Sequence, residues 1–426
     1  MLDLKWIRQN AEQVQTAADQ KGIRLSLEEL LQLDEKKRML LQETEALRAA
    51  RNKLSTQIGR LIRQGAEGEA AQAKLQVAET NVKLGAADVE LAIVDHKLAG
   101  LLALVPNVVS PDTPIGRSDV DNVEVRTFGE PRSFDFKPKD HMELGELHDL
   151  IDVKRGVKAA GSRNYYLKGA GVVLHRAVQQ LALDLLVKKG FTMLEVPLMV
   201  RTEAMNSTGF FPLGEDQTYR IANDDKWLVG TSEVPMITYY ANEIVDAQAP
   251  IKLAAASTCF RSEVGSAGRD VHGLYRVHQF AKVEQVVLCE ANHELSEALL
   301  QEITANAEEL LQLLELPYRV MAVCTGDMSQ KTYKQYDIET WMPSRASYGE
   351  THSSSNLRDF QARRSNIRYR TADGSLKFCH TLNNTAVASP RILIPLLEHH
   401  QCEDGAIQIP EALRPYMNGM EKLEVH

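Results

Sequence analysis

The chain lacks paired cysteines, long apolar runs and a glycine-rich phosphate loop, and each absence removes a class of protein. Its five cysteines, Cys259, Cys289, Cys324, Cys379 and Cys402, are odd in number, scattered, and never in a CxxC pair. That argues against a disulfide framework and against a cysteine zinc site, and it favours a reducing cytosol. The N-terminus, MLDLKWIRQNAEQ, has no apolar signal core, and no apolar run approaches the ~20 residues that span a bilayer. The expectation is a soluble, cytoplasmic protein that takes no zinc and touches no membrane. A P-loop (GxxxxGK followed by Ser or Thr) is missing, and Gly169-Ala170-Gly171 lacks the third glycine of a dinucleotide fingerprint. His352, His399 and His400 have no metal-ligand spacing. A formal charge of −9 means that any nucleic-acid binding must come from a local basic patch.

What is present fits an ordinary globular chain, 44% apolar and 25% charged, whose 426 residues allow two or three domains. The most regular stretch comes early. Leu33, Leu40, Leu47, Leu54 and Leu61 recur every seven residues, with Ile58 beginning a second row. After a break at Gly65–Gly68, Leu75, Val82 and Val89 repeat the spacing, with Ala78, Gly85 and Ala92 between them. This predicts an antiparallel helical hairpin over about 27–104 with its tip at Arg63–Glu69, in which the small residues let two helices approach closely. A first helix of about 37 residues would be about 55 Å long, too long to bury in a globular core. It carries Arg48, Arg51, Lys53, Arg60 and Arg63 among other cations, whereas the second helix is balanced or slightly acidic. A basic helix on an acidic protein suits phosphate contacts that position a nucleic acid. A dimerising coiled coil with solvated charges accounts for the same pattern.

Val105-Pro106-Asn107, Pro111 and Pro114 form a linker, and from about 115 onward helices and strands mix. A long amphipathic helix is expected at Ala170–Lys189, followed by a strand at Phe191–Leu198 whose Pro197 marks an edge and a natural dimer surface. Few strands are separated by single crossover helices, so an α+β fold with a mainly antiparallel sheet is predicted. Within it, Ala254–Glu263 and Gly273–Leu288 read as a long hairpin around Gly265 and Gly268. Strand alternation would place Arg276, His278, Phe280, Lys282 and Glu284 on one face, with Arg276, Phe280 and Glu284 in a row at steps of about 13 Å. Such a row could serve an anion, a flat ring and an ammonium or hydroxyl. A surface ladder of cross-strand ion pairs is the plainer alternative.

Three other stretches supply complementary chemistry. Gly230-Thr231-Ser232-Glu233 follows the apolar Trp227-Leu228-Val229 and sets hydroxyls and a carboxylate at a strand end. Gly349-Glu350-Thr351-His352-Ser353 offers hard oxygen ligands suited to Mg²⁺. Thr381-Leu382-Asn383-Asn384-Thr385 runs on to Ser389-Pro390-Arg391, read as a strand followed by a helix with proline at its first position and arginine in its first turn.

Taken in order, these segments resemble the bacterial-type seryl-tRNA synthetases, a family of class II aminoacyl-tRNA synthetases. The resemblance covers essentially the whole chain: the arm, the Gly161-Ser162-Arg163 start of motif 1, Pro197, TSEVP, the motif 2 stretch CFRSEVGSAGRDVHGLYRVHQFAKVE, ETHSSSN, FQARR, LNNTAVASPR and IPEALRPYM. It implies a helical tRNA-binding domain at 1–108 and a class II catalytic domain at 109–426 with a six- to seven-stranded antiparallel sheet. It also implies a homodimer, ATP-dependent activation of L-serine, and transfer to serine tRNA and, where it exists, selenocysteine tRNA. Residue by residue, Arg261 would hold the serine carboxylate and the α-phosphate. Thr231 and Glu233 would take the amino group, and Glu284, Asn383 and Thr385 the hydroxyl, with Ser232 also in the serine site. Ser262 and Glu263 would lie at the nucleotide, with Val277 lining its site and Phe280 stacking on adenine. Arg276 and Arg391 would meet the γ-phosphate side. Glu350, Thr351, His352 and Ser353 would complete the ATP site, with Glu350 and Ser353 placing Mg²⁺, and Arg261, Arg391 and Glu350 would carry catalysis. Arg48, Arg51, Lys53, Arg60 and Arg63 would meet the tRNA.

The chain departs from the common family pattern at Asn164, where an aromatic is usual, at Ser354, where cysteine is common, and at Thr385-Ala386 in motif 3. Asp327-Met328-Ser329-Gln330-Lys331 faintly echoes the lysine loop of the other synthetase class, but no histidine pair accompanies it, and it is assigned no role. Two rivals are an amino-acid:carrier-protein ligase, which lacks the long arm and binds zinc through cysteine, and a coiled-coil interaction protein with a degenerate synthetase domain. Degeneration would have struck Arg261, Glu263, Phe280 or Arg391, and all four are present.

Overall fold

The structure is a computed structural model that describes residues 2–264 and 272–425, so Gly265 and Gly268 of the expected hairpin lie outside the described residues. The chain divides into two compact units, one of Asp3–Asp19 with Ile23–Val105, the other mainly Pro106–His426 together with Gln20–Gly22.

In the first unit, helix α1 (Leu27–Arg63) and helix α2 (Glu67–Leu104) form the hairpin. Ser26 caps α1 by accepting from the Glu29 N–H at 3.2 Å. Leu40 and Leu61 are buried and Leu33, Leu47 and Leu54 half-buried, so the first heptad row is the seam. The second row is not the one expected. Leu75, Val82 and Val89 are 67%, 74% and 63% exposed, and Ala78, Gly85 and Ala92 also face solvent. The seam instead uses Ala70, Ala73, Leu84, Ala87, Val94 and Leu98, with Val77, Thr80 and Leu91 half-buried between them. Helix α2 is apolar on two faces, and the charges beside each face decide between them. Asp88, Glu90 and Asp95 flank the buried row and pair with Arg48 (3.0 Å), Lys36 (2.6 Å) and Lys37 (2.5 Å) of α1, as flanking positions of a coiled coil do.

The second unit is built on an eight-stranded sheet. Its strands are β1 (Val123–Phe128), β2 (Thr192–Met193), β3 (Ile251–Phe260), β4 (Gln279–Cys289), β5 (Tyr318–Ala322), β6 (Lys334–Met342), β7 (Ser347–Arg358) and β8 (His380–Ser389). Their spatial order is β1-β5-β6-β7-β8-β4-β3-β2, antiparallel throughout except for the two-residue β2–β3 pair. This is the α+β, mainly antiparallel architecture that the sequence predicts, with one more strand than the family pattern implied.

One face of the sheet is covered by α3 (Ala170–Lys188) and α5 (His293–Leu313), defined here together with α4 (Glu233–Thr238), α6 (Phe360–Ser365) and α7 (Leu393–His399). Leu174, Val178, Leu300 and Ile303 meet Val283, Val287 and Ala254 in the main core. Helix α3 has the length and composition of a bilayer-crossing helix, but its buried residues belong to this core. On the opposite face, Met236 and Ile237 of α4 cover only one end, over Leu253, Ala255, Val286 and Leu288. The rest of that face is left to polar side chains.

Three local expectations are corrected. The strand expected at Phe191–Leu198 shortens to the two residues of β2, and Pro197, which has no N–H for a ladder, lies outside it. The second hairpin strand starts at Gln279, and residues 273–278 are turns and bends. Helix α7 starts at Leu393, so Pro390 and Arg391 stand in the turn before it rather than in its first turn.

Candidate active site

The site grows from the alternation of β4. Phe280, Lys282 and Glu284 lie on the face away from the core, opposite Cys259, Ser257 and Ala255 of β3. A bulge in β8 adjusts the neighbouring strand: Thr385 is paired with Glu284, Val387 with Val283 and Ala388 with Lys282, which leaves Ala386 extra. Asn383, Thr385 and Ala388 therefore share the face of Glu284. Lys282 holds Glu284 at 2.6 Å, and the Thr385 hydroxyl donates to the same carboxylate at 3.3 Å. Burial pushes the Glu284 carboxyl above the usual carboxylate range while Lys282 opposes the rise. Beside them the buried Asn383 amide nitrogen has no partner among the described residues. A buried donor without a partner is costly, and a ligand oxygen would satisfy it.

Glu233 opens α4, and its backbone N–H reaches back to the Thr231 hydroxyl at 3.3 Å. The Ser232 hydroxyl is buried with no partner among the described residues. The Glu233 carboxylate is itself buried and receives the Lys331 ammonium at 2.6 and 2.7 Å and the Gln361 amide at 2.7 Å. Sequence reasoning missed both partners. Lys331 sits in the lysine segment that was assigned no role, and Gln361 lies within FQARR. The segment Asp327-Met328-Ser329-Gln330-Lys331 carries no local signal that locates a partner for its lysine.

The nucleotide-sized part is a cleft of about 530 Å³, including space open to solvent, lined by Arg261, Glu263, Val277, Phe280, Glu350 and Arg391 among others. The Arg261 guanidinium lies 5.3 Å from the Phe280 ring centre, and its Nη2 approaches the Gly230 carbonyl at 3.5 Å. Arg391 donates to the carbonyls of Tyr275 and Glu350 at 3.0 Å each, and it lies 4.4 Å over the Tyr275 ring. Arg276 is in the cleft region but not in a strand row with Phe280 and Glu284. It pairs with Glu263 at 2.8 Å, and Glu263 is held at φ 53°, a strained conformation of the kind that collects at binding sites. Gly273, at φ 68°, seats this segment: a Cβ there would stand 1.9 Å from the His141 Nε2. The Ser262 hydroxyl donates to the Asp216 carbonyl at 2.7 Å, which ties the strand end to a loop. Val277 is buried in the wall.

On β7 a second bulge matters. His352 pairs with Ile338 and Glu350 with Glu339, so Thr351 is extra, and Glu350 and Ser353 end on one face despite their odd spacing. Across from Ser353 stands Asp337, whose carboxyl is pushed well above its ordinary value by burial and by the charge of Glu350. Two oxygen side chains beside a crowded pair of acids suit Mg²⁺, which takes one or two protein ligands and fills the rest with phosphate and water. Among the described residues no group of three or more His, Cys, Asp or Glu side chains is placed to hold a metal without such help. The Thr351 hydroxyl is engaged with Thr340 at 2.6 Å and with the His352 Nδ1 at 2.8 Å. Burial pushes His352 down to about 3, so it lines the cleft as a neutral ring and brings no charge to a phosphate.

The tRNA candidates stand on the other compact unit. Arg48 is committed to Asp88, whereas among the described residues Arg51, Lys53, Arg60 and Arg63 enter no ion pair. Arg60 and Arg63 are exposed near the hairpin tip.

The seryl-tRNA synthetase N-terminal domain family matches residues 1–109, and the class II tRNA synthetase core domain family (G, H, P, S and T) matches residues 218–400. A serine–tRNA ligase of Deinococcus radiodurans is 45% identical over 424 residues, covering 99% of both chains. The chain belongs to the seryl-tRNA synthetase family. A seryl-tRNA synthetase of Pyrococcus horikoshii, solved complexed with ATP, is 37% identical with a TM-score of 0.90 and covers 100% of both chains. A cytoplasmic serine–tRNA ligase of Naegleria fowleri, solved in complex with AMP, is 26% identical with a TM-score of 0.84, over 98% of this chain and 96% of that one.

The departures from the family pattern have local explanations. Asn164 donates to the carbonyls of Ala160, Gly161 and Ser162, closing the helix end before it. The Ser354 hydroxyl accepts from Asn384 at 2.7 Å within a buried network that includes Gln285 and Asn306. Ala386 is the bulged residue and has no positive φ, so glycine is not required there.

Proposed function

We propose that the protein activates L-serine with ATP to seryl-adenylate and transfers the serine to the 3′ end of serine tRNA, and of selenocysteine tRNA in a cell that has one. The observation that carries this reading is one sheet face with a hydroxyl-sensing end, Glu284, Thr385 and an Asn383 amide unpartnered among the described residues, beside a cleft lined by Arg261 and Arg391. Family membership over the whole chain supports it.

The chemistry asks little of a general base. The serine carboxylate is already ionised and attacks the α-phosphorus in line, so the protein's work is positioning and charge neutralisation. Arg261 bridges the serine carboxylate and the α-phosphate, Phe280 stacks on adenine, and Glu263 and Val277 border the ring. Arg276 and Arg391 face the outer phosphates. Glu350 and Ser353 would hold Mg²⁺, which would supply further neutralisation of phosphate charge. Thr231 and Glu233 receive the ammonium, and Glu284, Asn383 and Thr385 the hydroxyl. Ser262 helps by fixing the strand end, and Thr351 by holding the bulge.

Residues 1–108 serve tRNA binding and 109–426 aminoacylation, a division supported by the N-terminal family match to 109. Arg51, Lys53, Arg60 and Arg63 meet the tRNA backbone, with Arg48 a lesser contributor because Asp88 holds it. The enzyme works in the cytoplasm as a homodimer built on motif 1. Exposed Tyr166, Val187, Met193 and Met199 in that stretch support a covered surface.

The test is ATP–pyrophosphate exchange with each of the twenty amino acids, followed by charging of total tRNA. Serine alone should drive exchange; exchange driven equally by alanine or threonine would sink the assignment.

A further inference from the structure

The amino-acid pocket contains two buried lysines, each locked onto one of the two carboxylates that face the substrate: Lys331 on Glu233 and Lys282 on Glu284. All four side chains are buried, and each pair lies within electrostatic reach of the other. Lys282 sits on a strand whose alternation already aims it at the site. Lys331 comes from a loop, so its place has to be built. Lys21 donates to the carbonyls of Ser329, Gln330 and Thr332 on both sides of it, and Asn107 donates to the Lys331 carbonyl at 3.1 Å. The ammonium also rests 3.8 Å from the centre of the Phe210 ring. Gln361 completes the cluster. It gives one amide hydrogen to Glu233 and the other to the Thr208 carbonyl, and it accepts from Thr381.

Counting lone pairs gives this arrangement a function. A carboxylate offers about four acceptor sites, two on each oxygen. On Glu233, Oε1 accepts from both Lys331 and Gln361, and Oε2 accepts from Lys331 alone. One acceptor site therefore remains, on Oε2. Resting on the reading that Glu233 receives the serine ammonium, we propose that Lys331 is the positioning residue of that subsite, keeping Glu233 ionised and in one rotamer so that a single acceptor site is presented to the α-amino group. A buried carboxylate without a counter-ion takes a proton instead of holding its charge, and a protonated Glu233 could not bind an ammonium. With Lys331 the two buried pairs balance, two carboxylates against two ammoniums, and Arg261 is left to meet the substrate carboxylate. The opposite possibility is that Lys331 occupies the ammonium's own place and has to be displaced by serine. That possibility predicts tighter serine binding when Lys331 is removed.

The test is steady-state ATP–pyrophosphate exchange on the full-length enzyme with Lys331→Met and Lys331→Arg. The expected result for Lys331→Met is a serine KM raised at least tenfold, with the ATP KM within twofold of wild type. Lys331→Arg should restore most of the serine KM. Glu284, Lys282 and Arg261 are the other charged groups facing the pocket, and they are the same in all three proteins. Should Lys331→Met not fold, by circular dichroism and thermal melt, Lys331→Gln carries the same comparison with a neutral donor. A serine KM that is unchanged or lowered, or a parallel rise in both KM values, overturns the proposal. Absence of serine-dependent exchange in the wild-type enzyme would instead overturn the functional reading beneath it.

Discussion

Lys282 and Thr385 both act on Glu284 Oε2, the lysine at 2.6 Å and the threonine hydroxyl at 3.3 Å. On the proposed reading, the carboxylate's second oxygen is the one that would meet a substrate hydroxyl. A pocket that pairs its polar groups with a substrate hydroxyl strongly rejects an analogue lacking it, since those groups are then left buried and unpaired. Thr385→Val should lower kcat/KM for serine about 10- to 100-fold and narrow the preference for serine over alanine, while Thr385→Ser stays near wild type. Exchange kinetics with both amino acids check this.

Arg261 is exposed, stacked on Phe280 and only loosely bonded to Gly230, so it is available to a ligand. Arg261→Ala should reduce serine-dependent exchange by about a thousandfold, and Arg261→Lys should recover only part, because a point charge cannot bridge a carboxylate and a phosphate as a planar fork does. Exchange near the wild-type rate in Arg261→Ala would mean that the carboxylate and α-phosphate are held elsewhere.

The arm makes a prediction about salt. Arg60→Ala with Arg63→Ala should raise the KM for tRNA at least tenfold, leave exchange unaltered, and reduce the steepness with which tRNA binding weakens as salt rises. Arg48→Ala should do less, because its charge is already offset by Asp88. Removing residues 30–100 should abolish charging and spare exchange.

His352 gives a pH dependence of stability. Burial depresses its folded-state pKa from 6.5 to about 3, so below pH 6.5 the unfolded chain binds a proton that the folded chain refuses. The contribution is therefore fully present above pH 6.5 and is lost as pH falls toward 3. His352→Gln should flatten the acid side of the stability curve by up to about 1.4 kcal/mol per pH unit relative to wild type. Urea titrations at pH 7, 6 and 5 read the difference.

The hairpin seam can be tested by truncation. Leu98→Ala, at a site 1% exposed, should destabilise the arm by about 2–5 kcal/mol. Val82→Ala, at 74% exposed, should change stability by about 0.5 kcal/mol or less. Thermal melts of the two variants that matched each other would restore the Leu75–Val89 row as the seam.

The seam also shows where the sequence stops being legible. Helix limits and the hairpin tip follow from the leucine repeat and the glycine break, because both are local. The face of α2 does not, because Leu75-Val82-Val89 and Leu84-Leu91-Leu98 have the same spacing, and only ion pairs to Lys36, Lys37 and Arg48 separate them. In the catalytic unit the antiparallel sheet and the residues that line the cleft were readable from type and order. The straight row of Arg276, Phe280 and Glu284 was not real, because alternation was extended into a turn. Lys331 was invisible because its partner is 98 residues away and is reached only once α4 and α6 have packed.

The two bulges tie the site to the length of its strands as well as to their composition. On β7 and β8 a single extra residue, Thr351 or Ala386, resets which side chains point into the cleft. Deleting Thr351 would close the bulge into a regular ladder, leaving Glu350 and Ser353 two residues apart and still on one face. Deleting Thr351 and His352 together would make the two adjacent and turn one of them to the other face of the sheet. The catalytic strands thus behave like text read in a frame of two, in which the bulged residue is a letter that can be dropped without changing the phase.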